Sequence, residues 1–324
     1  MSKFNYTVTN SDAELSIKEL IRQNFSFSSR MMARIKKNDC IYLNGDSVRL
    51  FIVPKPGDII EIDLPDEQSH FTPQNIPIFP VFEDDDLLVV NKPAGYVVHP
   101  TSGHPTGTIA NGIAKYMIDT NRSFKIRFIN RLDMDTSGLL VIAKNAHCQD
   151  SIVKQMQTGK VLKKYIAVAS GIFENEKGTI DLPIGRPDPE RVQRCVTADG
   201  HPSITHYTVL QSFAPADSKS EPNLNTTTIN MVNSKPANGK GGFSLVELRL
   251  ETGRTHQIRV HLSHIGHPII GDHLYGIDNA RLIERQALHA HYISFYHPIS
   301  GELIELTSQI PADIEALIAK IKQI

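Results

Sequence analysis

The purely apolar runs of this chain are short, and that limits its architecture more than any other feature. The longest, such as Leu87 to Val90 and Leu139 to Ala143, span only a few residues, the length of a buried strand. A membrane-crossing helix needs about 18 or more, so no membrane partner is expected. The start, Met-Ser-Lys-Phe-Asn-Tyr-Thr, lacks the apolar core of a signal peptide. Cys40, Cys148 and Cys195 are an odd, scattered set with no C-x-x-C pair, which argues against thiolate zinc sites and a disulfide framework. A cytoplasmic protein is expected. At roughly 150 residues per domain, 324 residues suggest two domains. With 34 Lys+Arg against 35 Asp+Glu, an anionic partner has to be met by a local basic surface and not by the field of the whole molecule.

Residues 1–65 read as a module of their own. Ser16 and Glu19 fit a capping box, with Ile17, Leu20 and Ile21 as the apolar stripe of a short helix. Ser28 or Ser29 can cap a second helix carrying Met31, Met32 and Ile35. Cys40 to Leu43 reads as a strand and Asn44-Gly45 as a hairpin turn. Further strands are expected over Val48 to Val53, ending at Pro54-Lys-Pro-Gly57, and over Ile59 to Asp63. Arg22, Arg30, Arg34, Lys36 and Lys37 fall in one stretch without an acid, which by itself suits a solvated helix face. Helix pair, hairpin and Lys-Pro-Gly-Asp turn together resemble the small RNA-binding module that carries the alpha-L motif, seen in a ribosomal small-subunit protein family. That resemblance implies that Arg30, Arg34, Lys36 and Lys37 on the second helix contact RNA.

Residues 66–80, with Pro73, Pro77 and Pro80, suggest a linker. From 81 to 324 short strands alternate with single helices: a strand at Leu87 to Val90, a helix capped by Thr108, a strand at Gly138 to Ala143 and a helix from Ala146 to Gln157. Strands follow at Lys163 to Ser170, Ile204 to Leu210 and Leu245 to Leu250. This mixture implies an α+β class with a large mixed sheet. The Ser-, Asn-, Thr-, Lys- and Gly-rich run 212–242 reads as a flexible insertion loop.

The stretch Asn130-Arg-Leu-Asp-Met-Asp-Thr-Ser-Gly138 holds two carboxylates two residues apart. A D-x-D-x-T phosphatase would need its Thr four positions after the first Asp, whereas Thr136 is three after Asp133. Arg131 would also compete with magnesium for the carboxylates. A glycosidase pair is weakened because residues i and i+2 of an extended chain point to opposite faces, although a turn would relax this. Asp135, Thr136 and Ser137 as plain turn and cap residues is the third reading.

The rest of the chain separates these. Arg131-Leu-Asp-x-x-Thr-Ser-Gly138 matches the signature of the RluA-type pseudouridine synthases. Asn91-Lys-Pro-Ala-Gly95 with Val98-His-Pro100 resembles the family's opening motif, and Lys164-Tyr165 the start of its tyrosine strand. Gly253-Arg-Thr-His-Gln-Ile-Arg-Val-His261 resembles its third motif. His267-Pro268, Gly271-Asp272, Tyr275-Gly276 and Arg285-Gln-Ala-Leu-His-Ala290 follow in family order. With its N-terminal module, the whole chain resembles the large-subunit ribosomal RNA synthases of the type called D. One departure is Asn130, where many members have His; both side chains donate a hydrogen bond.

The resemblance implies a pseudouridine synthase fold, with a mainly antiparallel sheet flanked by helices, and isomerisation of uridine in RNA. Large-subunit ribosomal RNA is the expected substrate, with transfer RNA, or a non-catalytic assembly role, as alternatives. The reaction loses no atoms and changes no redox state, so no cofactor is expected. The resemblance gives the catalytic role to Asp133, with Arg259 as its cation and Tyr165 against the base. Arg131 is expected to fill the space left by a flipped nucleotide or clamp its phosphate, with Arg254 and Lys92 as further contacts. Burial penalises a charged carboxylate, so an enclosed catalytic acid needs a cation beside it. His256, His261, His264 and His267 cluster around one helix without the i, i+4 pairing and Glu of a zinc helix; no metal is expected. A monomer is the default for a chain that brings its own RNA module.

Overall fold

The computed structural model describes residues 3–25, 27–64, 67–188, 190–214, 241–276 and 282–323. In the N-terminal part, β1 (Lys3–Thr7), β2 (Ile41–Leu43), β3 (Asp46–Ser47) and β4 (Ile59–Asp63) form a four-stranded sheet in the order β1-β4-β2-β3. Helices α1 (Ile17–Asn24) and α2 (Ser29–Lys37) cover it. Ser16 and Glu19 close a reciprocal capping box on α1, and Ile17, Leu20 and Ile21 are fully buried. Asn44 and Gly45 both take positive φ, as a two-residue hairpin with the right twist requires.

The strand expected over Val48 to Val53 does not form. The amides of Ile17 and Lys18 instead donate to the carbonyls of Ile52 and Leu50, both at 2.9 Å. The first turn of a helix leaves its N–H groups unpaired, and this segment bends to supply acceptors for them. The expected linker is also not a free tether. Among its residues Phe71, Ile76 and Ile78 pack on the larger core. Thr72 accepts a hydrogen bond from the Asn111 side chain at 2.9 Å, and Gln74 accepts one from the Gly107 amide. Its last residue, Pro80, opens a strand that pairs with Val90, and its apolar side chains find a core.

The body of the chain continues with β5 (Pro80–Glu83), β6 (Leu87–Lys92), α3 (Ile109–Asp119), β7 (Arg127–Phe128), β8 (Ser137–Ala143) and α4 (Ala146–Gln157). Then come β9 (Leu162–Ser170), β10 (Lys177–Asp181), β11 (Ile184–Gly185), β12 (Cys195–Val196) and β13 (Ile204–Phe213). It closes with β14 (Phe243–Leu250), α5 (Gln257–His264), β15 (Leu288–Tyr296), β16 (Leu303–Thr307) and α6 (Ala312–Ile321). Ten of these strands form one sheet along β10-β13-β14-β9-β15-β8-β6-β5, with β16 on β15 and β7 on β8. Only the β15–β8 pairing is parallel among them, so the α+β reading with a mixed, mainly antiparallel sheet holds. The insertion expected over 212–242 lies outside the described residues from 215 to 240. Its first two positions, Ser212 and Phe213, instead continue β13 and pair with β14.

The parallel contact decides where the site lies. Ser137 and Gly138 pair with His289 and Ala290. A Cβ on Gly138 would fall 2.3 Å from the Ala290 carbonyl oxygen, and its φ is +116°. Only glycine lets β8 approach β15 this closely, so the chain just before β8 is brought over the centre of the sheet.

Candidate active site

That preceding chain, residues 130–136, is a loop tied down at most of its positions. Asn130 Nδ2 donates to the Leu139 carbonyl at 3.1 Å, and its Oδ1 accepts from the Val141 amide at 2.8 Å. The side chain thus extends the β7–β8 ladder by one more rung. Thr136 N donates to the Asp133 carbonyl at 3.1 Å and closes a turn. The Met134 carbonyl accepts from the Gly95 amide at 3.0 Å and from Lys92 Nζ at 2.8 Å. Arg285 Nη1 donates to the Asp135 carbonyl at 3.0 Å, while the same guanidinium grips Asp313 of α6 through two nitrogens. Ser137 Oγ and His289 Nδ1 lie 2.9 Å apart.

This frame points the Asp133 carboxylate at Arg259 of α5, whose Nη1 donates to Asp133 Oδ2 at 3.0 Å. Arg259 Nε and Nη2 donate to the two oxygens of Asp272 at 2.7 and 2.8 Å. Asp272 is fully buried and also accepts from the amides of Leu274 and Tyr275. Burial pushes the Asp272 carboxyl up, but the guanidinium and the two amides outweigh this and hold it below the usual carboxylate range. Burial likewise opposes the Arg259 cation, and Asp272 and Asp133 more than restore it. The guanidinium carbon also lies 5.2 Å from the centre of the Tyr275 ring. Arg259 is therefore a fixed cation with one carboxylate anchoring it and the other, Asp133, at its free edge.

Asp133 faces a notch of about 60 Å³ lined also by Tyr165, Leu250, His256, Ile258 and Leu288. Arg131 and Arg254 stand on its exposed rim. Tyr165 on β9 is buried, and burial together with the Asp133 charge pushes its phenol up, so it meets a ligand as a neutral ring and an O–H donor. The notch is smaller than the roughly 300–1,000 Å³ of ordinary ligand pockets. Asp135 does not line it, so the two acids of the stretch do not converge on one bond as a glycosidase pair would.

Lys92 is a correction. Expected as a phosphate or positioning contact, it is 1% exposed, and its ammonium donates to the carbonyls of Pro93, Tyr96 and Met134 at 2.8–2.9 Å. All three donors are used, and none is left for a ligand. The basic residues of α2 are also divided. Arg30 and Arg34 face the synthase body, where Arg34 pairs with Glu67 at 3.1 Å. Lys36 lines an outer groove with Lys18 and Arg22, and Lys37 is exposed.

The histidines diverge. His261 is buried between Thr205 and the Leu182 carbonyl, and His267 stacks on Phe173 at 3.8 Å. His256 takes a left-handed φ of +58° at the head of α5, with Nδ1 2.8 Å from Tyr275 Oη. Tyr275 Oη also accepts from the Arg194 amide at 2.7 Å. Asp272, Tyr275 and Arg285 carry this architecture. The sequence offered only their place in a motif series as a signal. Among the described residues Asp84, Asp86 and His297 come together with metal-like spacing. There His297 Nε2 pairs with Asp84 at 2.8 Å and Nδ1 accepts from backbone amides.

Known proteins are similar to this chain in sequence and fold. The family described as RNA pseudouridylate synthase matches residues 86–264, which run from β6 through α5 and include Asp133, Tyr165 and Arg259. The uncharacterized RNA pseudouridine synthase YlyB of Bacillus subtilis is 37% identical over 293 residues, 89% of this chain and 87% of that one. Ribosomal large subunit pseudouridine synthase D of Haemophilus ducreyi is 37% identical over 318 residues, 91% of this chain and 88% of that one. The solved structure of human RNA pseudouridylate synthase domain containing 1 superposes with a TM-score of 0.54 at 25% identity, covering 76% of this chain and 96% of that one. No helix among the described residues is long and apolar enough to cross a membrane. The family match, the relatives and the superposed fold agree: the chain belongs to the RNA pseudouridylate synthase family.

Proposed function

We propose that the protein isomerises specific uridines of large-subunit ribosomal RNA to pseudouridine, with Asp133 as the acting carboxylate. The contact between Asp133 and an arginine whose other nitrogens are locked on a buried acid carries this reading. In the reaction the N1–C1′ bond breaks and a C5–C1′ bond forms, while the proton lost from C5 is matched by the one N1 gains. Asp133, in contact with Arg259, acts on the ribose or base; Tyr165 supplies a ring face for the uracil and Arg254 a positioning contact. Arg131 fills the space left by the flipped nucleotide or clamps its phosphate, offsetting an unstacking cost of a few kcal/mol. The N-terminal part acts as an alpha-L-like RNA-binding domain (1–65), with Arg30, Arg34, Lys36 and Lys37 on phosphates, and residues 81–324 form the catalytic domain. Relatives named ribosomal large subunit pseudouridine synthase D, at 34–37% identity, support the ribosomal substrate. The protein works as a cytoplasmic monomer without a cofactor.

The test is tritium release from C5-tritiated large-subunit transcript by wild type and by Asp133→Asn. Release by wild type alone is expected. Release from bulk transfer RNA but not the ribosomal transcript would move the substrate, and release from neither, with RNA still bound, would leave an assembly factor.

A further inference from the structure

Between α2 and the synthase body lies a cleft of about 480 Å³. Arg30 and Arg34 of α2 form one wall, and Lys125, Arg127 and Arg131 of the body form the other. Only Glu67 and Asp150 oppose these five cations in the lining, in a chain whose net charge is −1. Glu67 is already shared by Arg34, Lys125 and Arg127. Among the described residues neither Arg30 nor Arg131 has an acidic partner. A concave surface with such a surplus concentrates an anion.

Two further features identify that anion. His99 and Phe128 offer near-parallel rings in the same cleft, with centres 6.4 Å apart and planes at 29°. Arg131 lines both this cleft and the Asp133 notch. A ligand in the cleft is thus continuous, past one arginine, with whatever occupies the notch.

We propose that the cleft holds the unpaired RNA nucleotides next to the target uridine, with a phosphate between Arg30 and Arg131 and a base against His99 and Phe128. Its size suits one or two nucleotides of single strand and not a helix. The inference rests on the RNA-modifying reading of the Asp133 notch and adds the path of the strand. It also separates the α2 residues by role: Arg30 faces this path, while Lys36 faces the outer groove.

The experiment uses full-length protein, a short fluorescein-labelled oligouridine, a hairpin RNA of similar length, and the C5-tritiated transcript. Arg30→Glu is exposed and stands in the first turn of α2, which has no acid; the helix dipole favours the replacement there, so the variant folds. Oligouridine binding is expected to weaken about tenfold in Arg30→Glu and about fivefold or more in His99→Ala. The slope of log K against log salt should flatten by about 0.7 for each phosphate that Arg30→Glu no longer neutralises. Wild-type affinity for oligouridine in both variants would overturn the proposal, as would an Arg30-dependent preference for the hairpin or a weakening confined to Lys36→Glu. Tritium release by wild type, with both variants unaffected, would sink the cleft and keep the isomerase. Variant-sensitive binding with no tritium released from any RNA would keep the cleft and sink the isomerase.

Discussion

Replacing Arg259 separates folding from chemistry in a way the geometry predicts. In Arg259→Ala the fully buried Asp272 loses two charge-assisted hydrogen bonds and keeps two backbone amides. Breaking one side of a buried ion pair costs about 3–5 kcal/mol, so urea unfolding at pH 7.5 should show a loss of that size. The penalty depends on pH, with a definite sign. In wild type the Asp272 carboxyl lies below its ordinary value, so its contribution is present above about pH 4 and is lost as pH falls further. In the variant burial is opposed only by the two backbone amides, so the carboxyl rises from its wild-type value and protonation costs the folded form less. The gap between variant and wild type should therefore narrow on going from pH 7.5 to 5, by about 1.4 kcal/mol for each pH unit over which Asp272 takes up its proton. Asp133→Asn leaves the Arg259–Asp272 pair intact at a position whose side chain is 25% exposed, so it should cost under about 1 kcal/mol while abolishing tritium release. An Arg259→Ala loss below about 1 kcal/mol, or a gap that stays constant with pH, would refute the assignment of Asp272 as the buried anchor.

Lys92→Met fills much the same space but leaves three turn carbonyls without their donor; a stability loss of about 3 kcal/mol is expected, with kcat falling more than KM because the Met134 carbonyl is released. His289, 1% exposed, is pulled down to about 4 chiefly by burial, so the unfolded chain binds more protons between pH 4 and 6.5 and stability rises with pH there. Its share of the loss between pH 8 and 5 is about 2 kcal/mol, and it should disappear from the pH dependence of His289→Gln in urea titrations. Gly138→Ala drives a methyl into the Ala290 backbone at a positive φ; circular dichroism and proteolysis should find it unfolded or grossly destabilised.

Much of the N-terminal module was legible because its signals are local. The Ser16–Glu19 box, the Ser28 cap and the Asn44-Gly45 turn each act over three or four residues. The error at Val48 to Val53 has the opposite cause: its carbonyls are claimed by α1, some thirty residues earlier in the chain. Lys92 was misassigned for the same reason. A lysine after a strand reads as a surface cation unless one knows that Met134 lies above it, and that contact spans 42 positions. The α2 arginines and lysines form one basic stretch in sequence, yet Lys36 turns toward a different groove from Arg30. Asp272 was visible only as a member of a motif; its grip on Arg259 depends on the return of the chain after α5.

The loop carrying Asp133 is thus set by groups distant in sequence and close in space. Lys92 and Gly95 hold Met134, Arg285 holds Asp135, and Asp272 holds the arginine that meets Asp133. Such a frame leaves the carboxylate little freedom, which suits chemistry that depends on placing one group without a cofactor. Arg131 and Arg254, by contrast, stand exposed on the rim. A fixed frame under the notch and exposed cations at its edge are what a site needs when its substrate enters by leaving a stack.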